Sequence, residues 1–331
     1  MNTTLKWIIT VVAAISISVA GTACYLTVNY GKRRLIVSTT TSLYDTGLLE
    51  LLEKNFEEKY PIDISFISAG TGKAIQLAKR GDADLILVHA PEKEETFLNE
   101  GYGLFRKIIA YNFFVIIGPP DDPAKIKGLN ITEALANIVS AGRKGQIIWV
   151  SRGDESGTHI KEIKLWSMAG FEWSQLKNED WFTESGTGMG KTLLIANERN
   201  AYTLSDIGTY LKYREEGLIS LKILVDKRKE LLNVYSVIAV NPDRVPTVNF
   251  GDALLFIKFL TSNETQTLIG EFKKDIYGES LFYPAVSLLK EKKESLIAQW
   301  IMEAAFINGT ECPSRYWNIF HYGDDDAECG K

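Results

Sequence analysis

The sequence predicts an α/β protein of two doubly wound lobes joined by two crossing strands. Three observations carry this expectation. Short apolar runs alternate with stretches of helical spacing along most of the chain. Two apolar runs, "RKIIAYNFFVIIGPP" and "LLNVYSVIAVNP", are long enough to pass from one lobe to the other. Turns rich in Gly, Ser and Thr follow several strand-like runs, where open α/β sheets place their ligands.

The 331 residues leave room for one large domain or two ordinary ones. A hydrophobic fraction of 45% with 24% charged residues fits a folded core. The formal net charge of −5 argues against a nucleic-acid surface, so any anion site must be local. At the N-terminus Lys6 precedes an uncharged apolar run that reaches Cys24. Residues 1–33 therefore read as a signal, lipoprotein or membrane-anchor segment. "GTAC" is similar to a lipoprotein box and makes Cys24 a lipidation candidate, and the run over 7–28 is also long enough for an uncleaved anchor. Either reading puts the domain outside the cytoplasm, tethered to the membrane.

The elements follow in order. "RLIVS", "IDISFIS" and "ADLILVH" read as strands, with helices "TGLLELLEKNFEEKY" and "TGKAIQLAKRG" between them. This order predicts a parallel sheet. The first crossing strand ends at Pro119 and Pro120. A second set comprises "QIIWVS", "GTHIKEIKLWSMAG", "AYTLSDIGTYLKYR" and "LISLKILVD", before the second crossing. The expected division is 34–117 for the first part of lobe 1, 118–236 for lobe 2 and 237–309 for the rest of lobe 1. A tail over 310–331 holds Cys312 and Cys329, which are expected to pair outside the cytosol.

Three junctions point to an anion. "VSTTTSLYDTG" places Ser38, Thr39, Thr40, Thr41 and Ser42 at one turn, where a helix cap needs a single hydroxyl. "SAGTGK" adds Ser68 and Thr71, with Lys73 expected in solvent. "SRGDESGTH" offers Arg152, Ser156 and Thr158, with His159 expected to face solvent. Hydroxyls, helix N-termini and one guanidinium form a donor shell suited to a small oxyanion. With three histidines and no HExxH there is no support for a zinc hydrolase, and no G-x-S-x-G elbow is present.

The stretch "ESGTGMGKT" competes as a nucleotide-binding P-loop. Gly190, Lys191 and Thr192 fit that pattern, Ser185 occupies the place of its first Gly, and Asp226 ends a run like a Walker B strand. The preceding "NEDWFTE" does not read as a buried strand. The stretch is therefore expected to be a loop bordering the cleft, with Thr187 and Tyr202 as further candidates to face the ligand.

Together, "VSTTTSLYDTGLLE", "SAGTGKAIQLAKRGDADLILVHAP", "SRGDESGTH", "SGTGMGKTL" and "AYTLSDIGTYL" resemble the tungstate-binding proteins of tungstate ABC importers over about 35–284. The resemblance implies a type II periplasmic-binding-protein clamp that binds tungstate, and molybdate with it, and hands it to an ABC permease. It implies no catalysis and no cofactor. Thr40, Thr41, Ser42, Ser68 and Thr71 would bind from one lobe, and Arg152, Ser156 and Thr158 from the other. The alternatives are the same clamp for phosphate or sulfate, or a nucleotide hydrolase. The cysteine tail and the long N-terminal segment depart from the family.

Overall fold

In the computed structural model, which describes residues 33–291 and 293–312, lobe 1 opens with a strand-helix alternation. Its elements are β1 (Arg33–Thr40), α1 (Thr41–Tyr44), α2 (Leu48–Lys59), β2 (Ile62–Ala69), α3 (Thr71–Arg80), β3 (Leu85–Val88), α4 (Pro91–Asn99) and the start of β4 (Gly103–Gly118). Lobe 2 holds α5 (Ile131–Arg143), β5 (Trp149–Ser151), α6 (Gly157–Met168), α7 (Trp173–Leu176), β6 (Phe182–Glu184), α8 (Met189–Glu198), β7 (Thr203–Asp206), α9 (Ile207–Glu215) and β8 (Lys222–Val225). The chain returns through β9 (Leu232–Val240) to α10 (Phe250–Thr261), α11 (Asn263–Glu271), α12 (Lys274–Tyr277), β10 (Tyr283–Pro284), α13 (Val286–Glu291) and α14 (Leu296–Ala305).

The lobe 1 sheet has the order β2-β1-β3-β9-β4-β10. β1 runs parallel to β2 and β3, whereas β9 is antiparallel to both β3 and β4. The sheet is thus mixed, against the parallel one expected, because the crossing strands enter it in the opposite direction. β4 pairs with β9 as far as Phe113 and with β7 from Phe114, while β8 joins it over Ile116–Gly118. The lobes therefore exchange β4 between Phe113 and Phe114, and β9 lies in the lobe 1 sheet from Leu232. Both exchanges come a few residues before the 117/118 and 236/237 boundaries read from sequence. Both crossing runs are apolar throughout, so no change of residue type marks the place where the partner changes.

Burial follows the two periodicities. Leu49, Leu52 and Phe56 line one stripe of α2 and pack with Leu35, Val37 and Phe256. Ala134, Leu135 and Ile138 of α5 pack with Trp149 and Trp166 in lobe 2. The start of the expected tail belongs to lobe 1. Arg106, fully buried, pairs with Glu94 at 2.7 Å and donates to the carbonyls of Ala305 and Glu311. Lys107 pairs with Glu311 at 2.8 Å, and Cys312 is buried beside them. Cys329, and with it the expected bridge, lies outside the described residues, as do Cys24 and the N-terminal run. Among the described residues no helix is long and apolar enough to cross a membrane.

Candidate functional site

Between the lobes lies a cleft of about 580 Å³. Four helices of nine to twelve residues begin on its walls. α3 contributes Gly70 from lobe 1. From lobe 2, α6 contributes Ser156, α8 contributes Gly188, Met189 and Gly190, and α9 contributes Gly208 and Thr209. First-turn amides have no partner within their own helix, and the aligned dipoles add partial positive charge. Four such ends around one space favour an anion.

The five hydroxyls of the first junction divide by role. Ser38 donates to the Ala74 carbonyl at 2.9 Å and Thr39 to the Leu87 carbonyl at 2.9 Å, so both tie β1 to its neighbours. Thr40 caps α1 by accepting from the Leu43 amide at 3.4 Å. Thr41 and Ser42 reach the cleft wall, with Asp45 and Thr46 beyond them. Ser68 is exposed on β2 and is not among the residues lining the cleft, and Thr71 lines a separate cavity. Lys73 is exposed.

Across the cleft stands Arg152, 5% exposed. Its Nη2 pairs with Asp154, and its Nη1 lies 3.5 Å from Thr158 Oγ1. Its Nε is buried and has no hydrogen-bond partner among the described residues. A buried guanidinium with an unsatisfied N–H is costly unless a ligand supplies the acceptor. The backbone that carries it is held from two sides. Glu162, fully buried on α6, accepts from Trp149 Nε1 at 2.8 Å, Trp166 Nε1 at 3.2 Å, Ser151 Oγ at 2.9 Å and the Arg152 amide. Burial pushes the Glu162 carboxyl up to about 7, against those four donors. From the other side the Ser185 amide donates to the Ser151 carbonyl, and the Gly186 amide to the Arg152 carbonyl, both at 2.8 Å.

That second contact gives "ESGTGMGKT" a structural role. It brings the start of α8 to the cleft and ties down the turn that bears Arg152. One reading of it is refined: a strand does precede Ser185, namely β6, but it is three residues long and exposed at Glu184, so it is not a buried strand, as expected. "FTE" is too short and too polar to register as a buried run. Thr187 is not on the cleft wall, although its neighbour Gly188 is. Tyr202 is corrected as well. It is 0% exposed, accepts from the Ala124 amide at 2.9 Å and donates to Asp122 at 2.8 Å, inside lobe 2. Thr158 is buried behind Arg152, and Ser156 lies on the wall while capping the His159 amide. His159 is buried, against the expectation of solvent. Its Nδ1 accepts from the Glu155 amide at 2.9 Å and its ring packs on Trp173.

Several wall residues escaped the sequence reading. Lys212 adds a second cation, and Tyr213 and Tyr277 line the cleft beside it. Asp206 caps the Thr209 amide at 2.8 Å and is buried, which raises its pKa, while Arg152 pulls it back down. Asp45 is raised by its own burial and by Asp206. Lys212 sits on an ordinary helix, Asp206 ends β7 and Asp45 follows α1, and only the approach of the lobes brings them together.

A clamp of two α/β lobes with an anion cradle between them is the architecture of a solute-binding protein. Residues 19–264 match the model of the PBP superfamily domain. A tungstate-binding protein TupA of Peptoclostridium acidaminophilum is 41% identical over 256 residues, covering 76% of this chain and 86% of that protein. The solved structure of the tungstate binding protein TupA from Desulfovibrio alaskensis G20 is 41% identical with a TM-score of 0.68, covering 76% of this chain and 98% of that one. The tungstate ABC transporter structure from Geobacter sulfurreducens is 40% identical with a TM-score of 0.63, covering 72% and 98%. The chain belongs to the PBP superfamily and, within it, to the family of these TupA proteins, which is a family of solute-binding components and not of enzymes.

Proposed function

We propose that this protein binds tungstate, and molybdate with it, outside the cytoplasm and delivers it to the permease of an ABC importer. One observation carries the reading: the buried Arg152 holds an N–H without an acceptor where four helix N-termini from both lobes converge. A tetrahedral dianion would supply that acceptor and meet the partial charge of the helix ends. Thr41 and Ser156 are assigned to the ligand shell with Arg152, Ser42 stands on the wall with its hydroxyl turned to His89, Thr40 and Thr158 support the shell from behind, and the amides at Gly188 and Gly208 complete it. The names of the relatives support tungstate as the oxyanion.

Calorimetric titration of the protein with tungstate, molybdate, sulfate and phosphate tests this. Sub-micromolar binding of the first two, and at least hundredfold weaker binding of the others, is the expected result. A preference for phosphate or sulfate would replace tungstate as the cargo and leave the clamp standing. The N-terminal segment is proposed to tether the domain to the outer face of the membrane. Protease added to whole cells should then cleave the domain.

A further inference from the structure

The crossing strands leave lobe 1 side by side at Asn112 and Asn233, which are register partners. A polar relay, buried at the asparagines and half-buried at His89 and Ser42, runs from this hinge to the cleft. Asn112 Nδ2 donates to the Leu281 carbonyl at 3.2 Å, and Asn233 Nδ2 donates to Asn112 Oδ1 at 3.0 Å. His89 Nδ1 lies 2.8 Å from Asn233 Oδ1, and His89 Nε2 lies 3.2 Å from Ser42 Oγ. A carbonyl can only accept, so Leu281 fixes the direction of every bond in the relay. The proton of His89 therefore sits on Nδ1, and Nε2 accepts from the Ser42 hydroxyl. Burial agrees, pushing the imidazole down to about 4 and keeping it neutral.

Two further neighbours flank the ring. Tyr235 packs against it with centroids 4.9 Å apart. On the lobe 2 side stands Gly157, the first residue of α6, where an added Cβ would lie 3.2 Å from His89 Cε1. That distance is tighter than ordinary van der Waals contact, and the hydrogen bonds on both nitrogens keep the ring from moving aside. Gly157 has no left-handed backbone angle, so it is space rather than conformation that asks for glycine. His89 and Gly157 wall a second cavity of about 360 Å³, distinct from the cleft, and the imidazole reaches Ser42 from behind.

We propose that His89 is a positioning residue of the clamp: a fixed spacer that joins Ser42 to the hinge asparagines and sets how closely the start of α6 approaches lobe 1. It does not touch the ligand. Closure around the ligand must stop where α6 meets this ring, so the ring defines the separation between the Ser42 wall and the Ser156 wall. The inference rests on the binding reading above.

Two measurements test it. In the first, tungstate affinity is measured calorimetrically for the wild type, Gly157→Ala, His89→Ala and the double variant. Gly157→Ala should weaken binding about tenfold or more with little change in Tm, and should cost less than about threefold once His89 is removed. An equal loss in both backgrounds, or none in either, would overturn the proposal. If the wild type binds another of the four oxyanions instead, the same cycle is run with that anion. The second measurement needs neither ligand nor variant. Long-range 1H–15N correlation at pH 7 should show His89 as the Nδ1–H tautomer. An Nε2–H or charged imidazole would sink the relay even if tungstate binds as expected, and failure of every oxyanion to bind would sink the functional reading while this spectrum still judges the relay.

Discussion

The two walls of the cleft solve the same problem in different ways. Lobe 1 offers neutral groups: the hydroxyls of Thr41, Ser42 and Thr46 and the start of α3, with Asp45 as its one acid. Lobe 2 offers Arg152, Lys212 and the starts of three helices, with Asp154 and Asp206 set against the guanidinium. A dianion entering the cleft gives up hydration and needs both donors and charge. Among the described residues lining the cleft, full positive charge comes from lobe 2 alone. This asymmetry supports the proposal that lobe 2 holds the ligand and that lobe 1 completes its donor shell on closure.

The sharpest way to break this asymmetry is Arg152→Ala. Truncating a buried charged contact costs about 2–5 kcal/mol, so tungstate affinity should fall roughly 30-fold to several thousand-fold. Arg152→Lys should restore part of that, since an ammonium lacks the planar fork. Calorimetry of both variants beside their melting temperatures decides it, and unchanged affinity in Arg152→Ala would dismantle the lobe 2 assignment.

Glu162→Gln comes next. An amide would turn its own N–H toward a place where four donors already meet, a conflict of about 1–3 kcal/mol. Affinity should drop on the order of tenfold. The loss should disappear in an Arg152→Ala background if Glu162 acts through that residue. A loss that persists there would make Glu162 a packing element only.

The lobes should also respond oppositely to pH. Folded His89 stays neutral down to about 4, whereas the unfolded chain protonates near 6.5. Stability from this group is therefore present above 6.5 and is lost as pH falls toward 4, by about 3 kcal/mol. Glu162 titrates near 7 when folded, above its ordinary 4.5. Its contribution is present below 4.5 and is lost as pH rises through 7, by about 3 kcal/mol. Denaturant unfolding across pH 4–7 should thus tilt one way in His89→Gln and the other way in Glu162→Gln. Parallel profiles would contradict the burial argument for both.

Two smaller effects refine the picture. Ser42→Ala removes a hydroxyl whose proton already goes to His89, so affinity should fall about fivefold or less, the value of one ordinary hydrogen bond. A hundredfold loss would mean that the hydroxyl donates to the ligand. Lys191→Ala touches an exposed side chain, so its effect on affinity should stay below about twofold. A nucleotide-hydrolysis activity that vanished with it would revive the P-loop reading.

The sequence by itself determined the alternation of strands and helices, the two crossing runs and the donor-rich turns. Each of these is local: a period, an apolar run, or hydroxyls beside a helix start. Arg152, Ser156, Thr41 and Ser42 were legible because their turns carry the chemistry in consecutive residues. Only the tertiary structure decided the rest. β6 is three residues long, Tyr202 points into lobe 2, and His159 is covered by Trp173, none of which a one-dimensional pattern records. Lys212 and Asp45 reach the cleft from a helix and a helix end with no distinguishing sequence signal. His89 follows a strand whose apolar residues predict burial alone, and its four contacts come from three separate places in the chain. Periodicity tells which face of an element is buried. Which distant residue meets that face depends on how the lobes pack, and that free energy is shared across the whole core.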